Sequence, residues 1–178
     1  MMVERALGLI QIYTGHGKGK STAAFGLALR AAGCGYKTTI IQFMKPGSGC
    51  GELNALQMIP QISVYSYGLA KFLIKGQTPD SQSISLAQQG MTHARKVMAE
   101  QSADILILDE LNNAIFFDLV TEEEALVLMK EKPKTMELVL TGRNATTAVI
   151  NAADLVTEMR EIKYPHDLQM TARRGIEY

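Results

Sequence analysis

Cysteine is nearly absent from this sequence: Cys34 and Cys50 are the only two among 178 residues. Two thiols cannot build a disulfide framework, and their spacing matches no cysteine-based metal site. They read as reduced thiols of a cytoplasmic protein. An excess of either charge is also lacking: 18 Lys and Arg balance 18 Asp and Glu, for a formal net charge of zero. That balance removes the electrostatic argument for bulk nucleic-acid binding. No apolar run reaches membrane length, and the start carries no secretory n-region and h-region, so neither a membrane span nor an export signal is expected. No repeat, linker or low-complexity segment divides the chain. With 47% hydrophobic residues it reads as one domain, 1–178, large enough for a full core. Tryptophan is missing altogether, and the ten Met read as core filler. No Ser-His-Asp or Cys-His arrangement emerges.

What is present is concentrated near the start. The stretch Thr14-Gly15-His16-Gly17-Lys18-Gly19-Lys20-Ser21-Thr22 follows an apolar run, Leu9 to Tyr13, that reads as a buried strand. It precedes Ala23 to Arg30, which reads as a helix. Strand, glycine-rich loop, Lys-Ser and helix make the order of a phosphate-binding P-loop. Glycines let backbone N–H groups turn inward as an anion nest, and the helix N-terminus adds its positive dipole end. Lys20 is placed to reach phosphates and Ser21 to ligate Mg²⁺. The loop departs from the usual form, because Thr14 stands where the first glycine belongs. Lys18 also adds a second positive charge. A nucleoside triphosphate is the expected ligand.

Further along, Lys37 to Phe43 reads as a second strand after the helix stop at Gly33-Cys34-Gly35. A Pro/Gly/Ser loop leads into a short apolar helix around Leu53 to Met58, and Gln61 to Tyr65 reads as a third strand. Tyr67 to Pro79 is loop-like yet carries Leu69, Phe72, Leu73 and Ile74; an apolar loop of that length is usually functional. Ser81 to Glu100 is a long helix with Ile84, Ala87, Met91, Ala94 and Met98 along one face. Asp104 to Glu110 is a buried strand ending in two carboxylates. Thr121 to Glu124 forms a capping box opening a helix to about Lys130. Glu137 to Leu140 is another strand, Asn144 is expected to cap a helix through about Ala152, and Leu155 to Met159 is a last strand. Strands alternating with helices imply a three-layer α/β fold with a mostly parallel central sheet.

Asp109-Glu110, after four apolar residues, resembles a Walker-B element. A carboxylate at the end of a buried strand can hold Mg²⁺ directly or through water, and a second acid can ligate metal or polarise a nucleophile. In parallel sheets ligands collect at the carboxyl ends of strands. The P-loop, Gln42-Phe43, Asp109-Glu110 and Thr141-Gly142-Arg143 all fall at such ends. Arg143 reads equally as a sensor of phosphate charge and as a surface arginine. His16 reads as a spacer or hydrogen-bond donor in the loop rather than a base, and His93 as a solvated helix residue.

From Gly15 to Gly26 the chain resembles the P-loop-type ATP:corrinoid adenosyltransferases, whose loop typically reads Gly-Asn-Gly-Lys-Gly-Lys-Thr-Thr-Ala-Ala. The resemblance continues in Gln42-Phe43-Met44-Lys45, Gly51-Glu52, Leu108-Asp109-Glu110-Leu111 and Leu140-Thr141-Gly142-Arg143. It extends through Ala153 to Met159 and the ending Ala172 to Tyr178, nearly the whole chain in order. It implies a RecA-like P-loop NTPase fold in which the strand at Glu137 to Leu140 lies between the P-loop strand and the Asp109 strand. It also implies a reaction unlike phosphoryl transfer: a Co(I) corrinoid attacks the 5′ carbon of ATP and triphosphate leaves.

Carried over residue by residue, the resemblance implies an ATP site at Gly15, His16, Gly17, Lys18, Gly19, Lys20, Ser21, Thr22 and Arg143. Lys20, Ser21 and Glu110 would serve catalysis. Ser21 and Glu110, with or without Asp109, would hold Mg²⁺. The cofactor supplies the nucleophile, so no catalytic base is needed. A homodimer and an electron-donating reductase such as a flavoprotein are implied partners. Two features depart from the family pattern. Only Met1 to Leu7 precede the first strand, so no N-terminal cover over the site is expected. Many members carry Gly-Phe-Thr-Trp after the third strand, where this chain has Gly68-Leu69-Ala70-Lys71-Phe72; Leu69 or Phe72 would take the corrinoid-contact role. The competing readings are a RecA-type ATPase hydrolysing ATP to ADP and phosphate, and a regulator that uses ATP binding as a switch.

Overall fold

A computed structural model describes residues 7–71, 73–163 and 173–176 of the chain. Six strands form one sheet: β1 (Ile10–Thr14), β2 (Thr38–Phe43), β3 (Ile62–Tyr67), β4 (Ile105–Asp109), β5 (Glu137–Thr141) and β6 (Leu155–Glu158). Their order is β3-β2-β4-β5-β1-β6, and every adjacent pair is parallel. The expected position of the Glu137 strand is thereby met: β5 pairs with β1 on one side and β4 on the other.

The sheet is covered on both faces, as parallel sheets require. Alternation along β4 shows how. Ile105 and Ile107 point into a cluster with Ala24, Phe25, Ala28 and Ala31 of helix α1 (Lys20–Gly33) and Leu56 of helix α2 (Gly51–Leu56). Leu106 and Leu108 point the other way, into a larger cluster. That cluster contains Met91 and Ala94 of helix α3 (Ser81–Glu100), Leu111 of α4 (Leu111–Phe116), Leu128 of α5 (Glu122–Glu131) and Val149 of α6 (Thr147–Asn151). The side-chain period of two in a strand sends successive residues to opposite layers.

Local chemistry sets most boundaries. Asp80 caps α3 by accepting from the Ser83 N–H, and Thr121 with Glu124 closes the reciprocal capping box of α5. The third strand runs on to Tyr67 and the short second helix starts earlier, at Gly51, than expected. Two further differences have a local cause. Asn144 does not cap the sixth helix; it turns the chain at φ 59, and Thr146 is the cap, accepting from the Val149 N–H. Asparagine tolerates the left-handed region, whereas the capping position needs the extended backbone that Thr146 has. The fourth strand stops at Asp109, because Glu110 has φ 65 and opens α4 directly, a short helix that sequence pattern alone does not reveal.

Candidate active site

The turn from β1 into α1 is built around glycine. Gly15 and Gly19 have φ of 92 and 112, conformations costly for residues with a Cβ. The chain leaving β6 presses on the same loop: the Gly17 N–H donates to the Met159 carbonyl at 2.7 Å, and the Met159 N–H to the Thr14 carbonyl at 2.8 Å. A Cβ on Gly15 would lie 2.5 Å from the Met159 oxygen, and one on Gly17 2.7 Å from it. Both glycines are therefore dictated by close backbone approach.

Lys20, the first residue of α1, is buried, and its ammonium donates to the Gly17 carbonyl at 2.7 Å. Burial, and next the positive charge of Arg143, lower its pKa from the usual lysine value, while Glu110 opposes them. Arg143 is exposed on the turn after β5. Lys18 is exposed and donates to the Ile176 carbonyl at 3.1 Å. His16 is exposed.

Lys18, Gly19, Lys20, Ser21 and Thr22 line a cavity of about 640 Å³, with Glu110 at its edge. Phe25 and Leu29 of α1 and Ala55 and Leu56 of α2 supply an apolar wall. A cavity of this size with a few convergent charges suits a nucleotide-sized ligand.

The register of the sheet brings the acids to the loop. Gln42 of β2 lies opposite Asp109 of β4, and Thr141 ends β5 beside it. Asp109 is fully buried, and each of its oxygens is held. Thr141 Oγ1 donates to Oδ1 at 2.7 Å; Gln42 Nε2 and Lys45 Nζ donate to Oδ2 at 3.1 and 2.8 Å. Burial pushes this carboxyl up, but the charge and hydrogen bond of Lys45, with hydrogen bonds from Ser21 and Thr141, bring it below the usual aspartate value. The same Lys45 ammonium lies 3.4 Å from Ser21 Oγ. Although burial opposes it, Asp109 holds the Lys45 pKa above the ordinary lysine value.

Glu110 behaves oppositely. Burial, and next the charge of Asp109, push its carboxyl above the usual glutamate range. Its N–H donates to Thr141 Oγ1 at 3.0 Å, so one hydroxyl orients both acids. Asn113 donates to its Oε2.

The donor set fits a hard divalent cation. A hydroxyl and an ionised carboxylate converge on one point, and a cation, the Lys45 ammonium, already stands there. Among the described residues no three of His, Cys, Asp and Glu cluster as a metal cage. Mg²⁺ suits such a sparse set, since it usually takes one or two carboxylates plus water and substrate phosphate.

Sequence reasoning placed Gln42 and Thr141 at the right strand ends without giving them partners, and it gave Lys45 no role. Their signal is positional: each lies at or just past the carboxyl end of a strand flanking the Asp109 strand. Leu69 lies apart from the nucleotide cavity, half-buried in a small recess beside Met44, Tyr67 and Leu73. Phe72 lies outside the described residues. Gly68, next to Leu69, is packed against the β2 exit so closely that a Cβ would fall 2.3 Å from the Met44 carbonyl carbon and from the Lys45 nitrogen. The two regions thus share a backbone contact at Lys45.

Comparison with known proteins bears on the whole chain. Residues 6–178 match the family described as ATP:corrinoid adenosyltransferase BtuR/CobO/CobP. The corrinoid adenosyltransferase of Escherichia coli (strain K12) is 34% identical over 171 residues, covering 96% of this chain and 86% of that protein. The corrinoid adenosyltransferase of a Sinorhizobium species is 33% identical over 96% of this chain and 80% of its own length. The corrinoid adenosyltransferase of Salmonella typhimurium is 31% identical over 96% and 86%. Among solved structures, ATPases 2 and 3 of EssC from Geobacillus thermodenitrificans superpose with a TM-score of 0.50 at 15% identity. That match covers 94% of this chain and 35% of that one, a likeness of fold alone.

Proposed function

The chain belongs to the ATP:corrinoid adenosyltransferase family, and from that premise we propose how its residues carry the transfer of the 5′-deoxyadenosyl group of ATP to a reduced corrinoid. The observation that carries the reading is that Lys20, Ser21 and Lys45 line one cavity while the Lys45 ammonium ties Ser21 to Asp109, a carboxylate buried just behind it. Asp109 is clamped by Thr141, Gln42 and Lys45, so it is suited to holding positive charge and not to collecting a proton.

In the reaction the electron pair of Co(I) forms the bond to the 5′ carbon, and the carbon–oxygen bond to the triphosphate breaks. Negative charge builds on the leaving oxygen. The chain's contribution is to bind and stabilise that charge: Lys20, Lys18 and the amides of the loop from Gly15 to Thr22, His16 included, would face it, apart from the Gly17 N–H, which is spent on the Met159 carbonyl. Arg143 adds positive potential beside Lys20. Bound Mg²⁺ would neutralise triphosphate charge; Ser21 and Asp109, with Glu110 next to them, would hold it. The half-buried Leu69 and its neighbour Phe72 would meet the corrin face. No residue has to move a proton, because the corrinoid supplies the nucleophile and triphosphate leaves as an anion. A homodimer, a reductase such as a flavoprotein that supplies the electron, and a cytoplasmic location complete the proposal.

The test is incubation with ATP, Mg²⁺ and chemically reduced cobalamin, with product analysis. A light-sensitive adenosylcorrinoid and an equal amount of triphosphate are expected. ADP and phosphate without adenosyl product would identify an ATPase instead, and nucleotide binding without turnover a switch.

A further inference from the structure

The Lys45 ammonium occupies the position between Ser21 Oγ and Asp109 Oδ2 where a metal ion bridging these two groups would have to sit. A divalent ion bridging the two oxygens and the ammonium cannot occupy the same position, so metal entry there requires the ammonium to move. The backbone at Lys45 is fixed: the Met44 N–H donates to the Tyr67 carbonyl at 3.0 Å, and Gly68 is packed against the 44–45 peptide. Only the flexible side chain is free to swing. Its ammonium lies 5.9 Å from the Phe25 ring centroid, and the residue lines the same cavity as Lys18 and Lys20. The other acids facing that cavity are Glu52 and Glu110. A bound triphosphate would put far more negative charge there than either.

We propose that Lys45 is an exchangeable counter-ion: it neutralises Asp109 in the metal-free enzyme, is expelled when Mg²⁺ enters, and then pairs with the triphosphate of the nucleotide. The inference rests on the reading of Ser21 and Asp109 as metal ligands. It makes metal and triphosphate binding mutually reinforcing, because the cation that one ligand displaces becomes a binding group for the other. Such coupling is reciprocal and commonly amounts to about 5–150-fold in affinity. It also keeps the buried carboxylate paired at every stage, where an unpaired one would be strongly destabilising.

Two titrations on the full-length protein test it, with Mn²⁺ alone as the first probe and inorganic tripolyphosphate plus Mg²⁺ as the second. Lys45→Gln keeps a hydrogen-bond donor for Asp109 but removes the charge. It is expected to bind Mn²⁺ about tenfold more tightly than wild type and tripolyphosphate about tenfold more weakly. Lys45→Arg is expected to stay near wild type in both. Unchanged or weaker Mn²⁺ binding by Lys45→Gln overturns the proposal. So does unchanged tripolyphosphate binding, which is what a purely structural partner of Asp109 would give. Asp109→Asn separates the two readings: if it binds Mn²⁺ as wild type does, the metal site itself is wrong. A wild-type readout guards against an unfolded variant. With lysines labelled at Cε, the Lys45 resonance should shift on adding Mg²⁺ and again on adding tripolyphosphate, and a resonance that stays put overturns the proposal.

Discussion

Gly17 and Met159 are joined backbone to backbone, the N–H of the first donating to the carbonyl of the second at 2.7 Å. The phosphate loop is thus shaped by the exit of β6 as much as by its own sequence. A side chain at position 17 has nowhere to go, since its Cβ would lie 2.7 Å from the Met159 oxygen and 2.9 Å from the Arg160 carbonyl carbon. Gly17→Ala is expected to open the loop at an overpacking cost of about 1–3 kcal/mol. ATP affinity should fall by about tenfold or more. Calorimetric titration of a variant checked for folding would measure it; wild-type affinity would contradict the packing account.

Lys20 and His16 sit in one loop but in different environments. The first is buried and points back to the Gly17 carbonyl, and the second is exposed. Lys20→Ala removes a charge-assisted contact, worth about 1.5–3 kcal/mol. His16→Ala should leave ATP affinity within about threefold of wild type, under 1 kcal/mol. Equal losses for the two variants would refute the division of roles.

On the proposed reading, the segment after β3 meets the corrinoid and not the nucleotide. Leu73 packs partly against the larger core cluster, whereas Ile74 is 61% exposed. Phe72→Ala and Leu69→Ala are expected to slow adenosylation in a single turnover while leaving ATP affinity unchanged. If these side chains only pack, the melting temperature falls and turnover by the folded protein stays normal. Measuring both on the same preparation decides.

Glu110 gives a pH test. Because burial and Asp109 push its pKa up, the folded chain holds this proton more tightly than the unfolded chain, where glutamate titrates at about 4.3. As pH rises from there through the higher folded value, stability is lost. Glu110→Gln keeps an acceptor for Asn113 and has no such proton to lose. Without metal or nucleotide it should melt above wild type at pH 7, and the difference should vanish near pH 4. A gap that is the same at both pH values would show that the shift is not the cause.

How much of this was legible in the sequence depends on the range of the interaction. The strands announce themselves as apolar runs because a doubly covered parallel sheet buries both faces, and α3 runs over the expected Ser81–Glu100 because its cap and its apolar stripe are both local. The order of β4, β5 and β1 was implied by the family resemblance and not by any local pattern. What stayed hidden was side-chain pairing across strands. Nothing near Lys45 in sequence says that it meets Asp109, 64 positions away. The link exists only because β2 and β4 are neighbours in register. The same holds for Thr141, whose hydroxyl serves two acids from an adjoining strand. Helix α4 was missed because its six residues, with Asn112 and Asn113 in the first turn, are too few to show a helical period.

The contact between Gly68 and the Met44–Lys45 peptide sets a rule for anyone redesigning this protein. Grafting a foreign loop after β3, to test whether that loop decides which corrinoid is accepted, would seem a change remote from ATP. It is not, because the graft begins on a fulcrum shared with the residue that grips Asp109. A donor loop carrying any side chain at position 68 would lever the peptide at 44–45 outward and loosen that grip. Loop libraries for new substrate range therefore have to start at position 69 and leave the glycine alone.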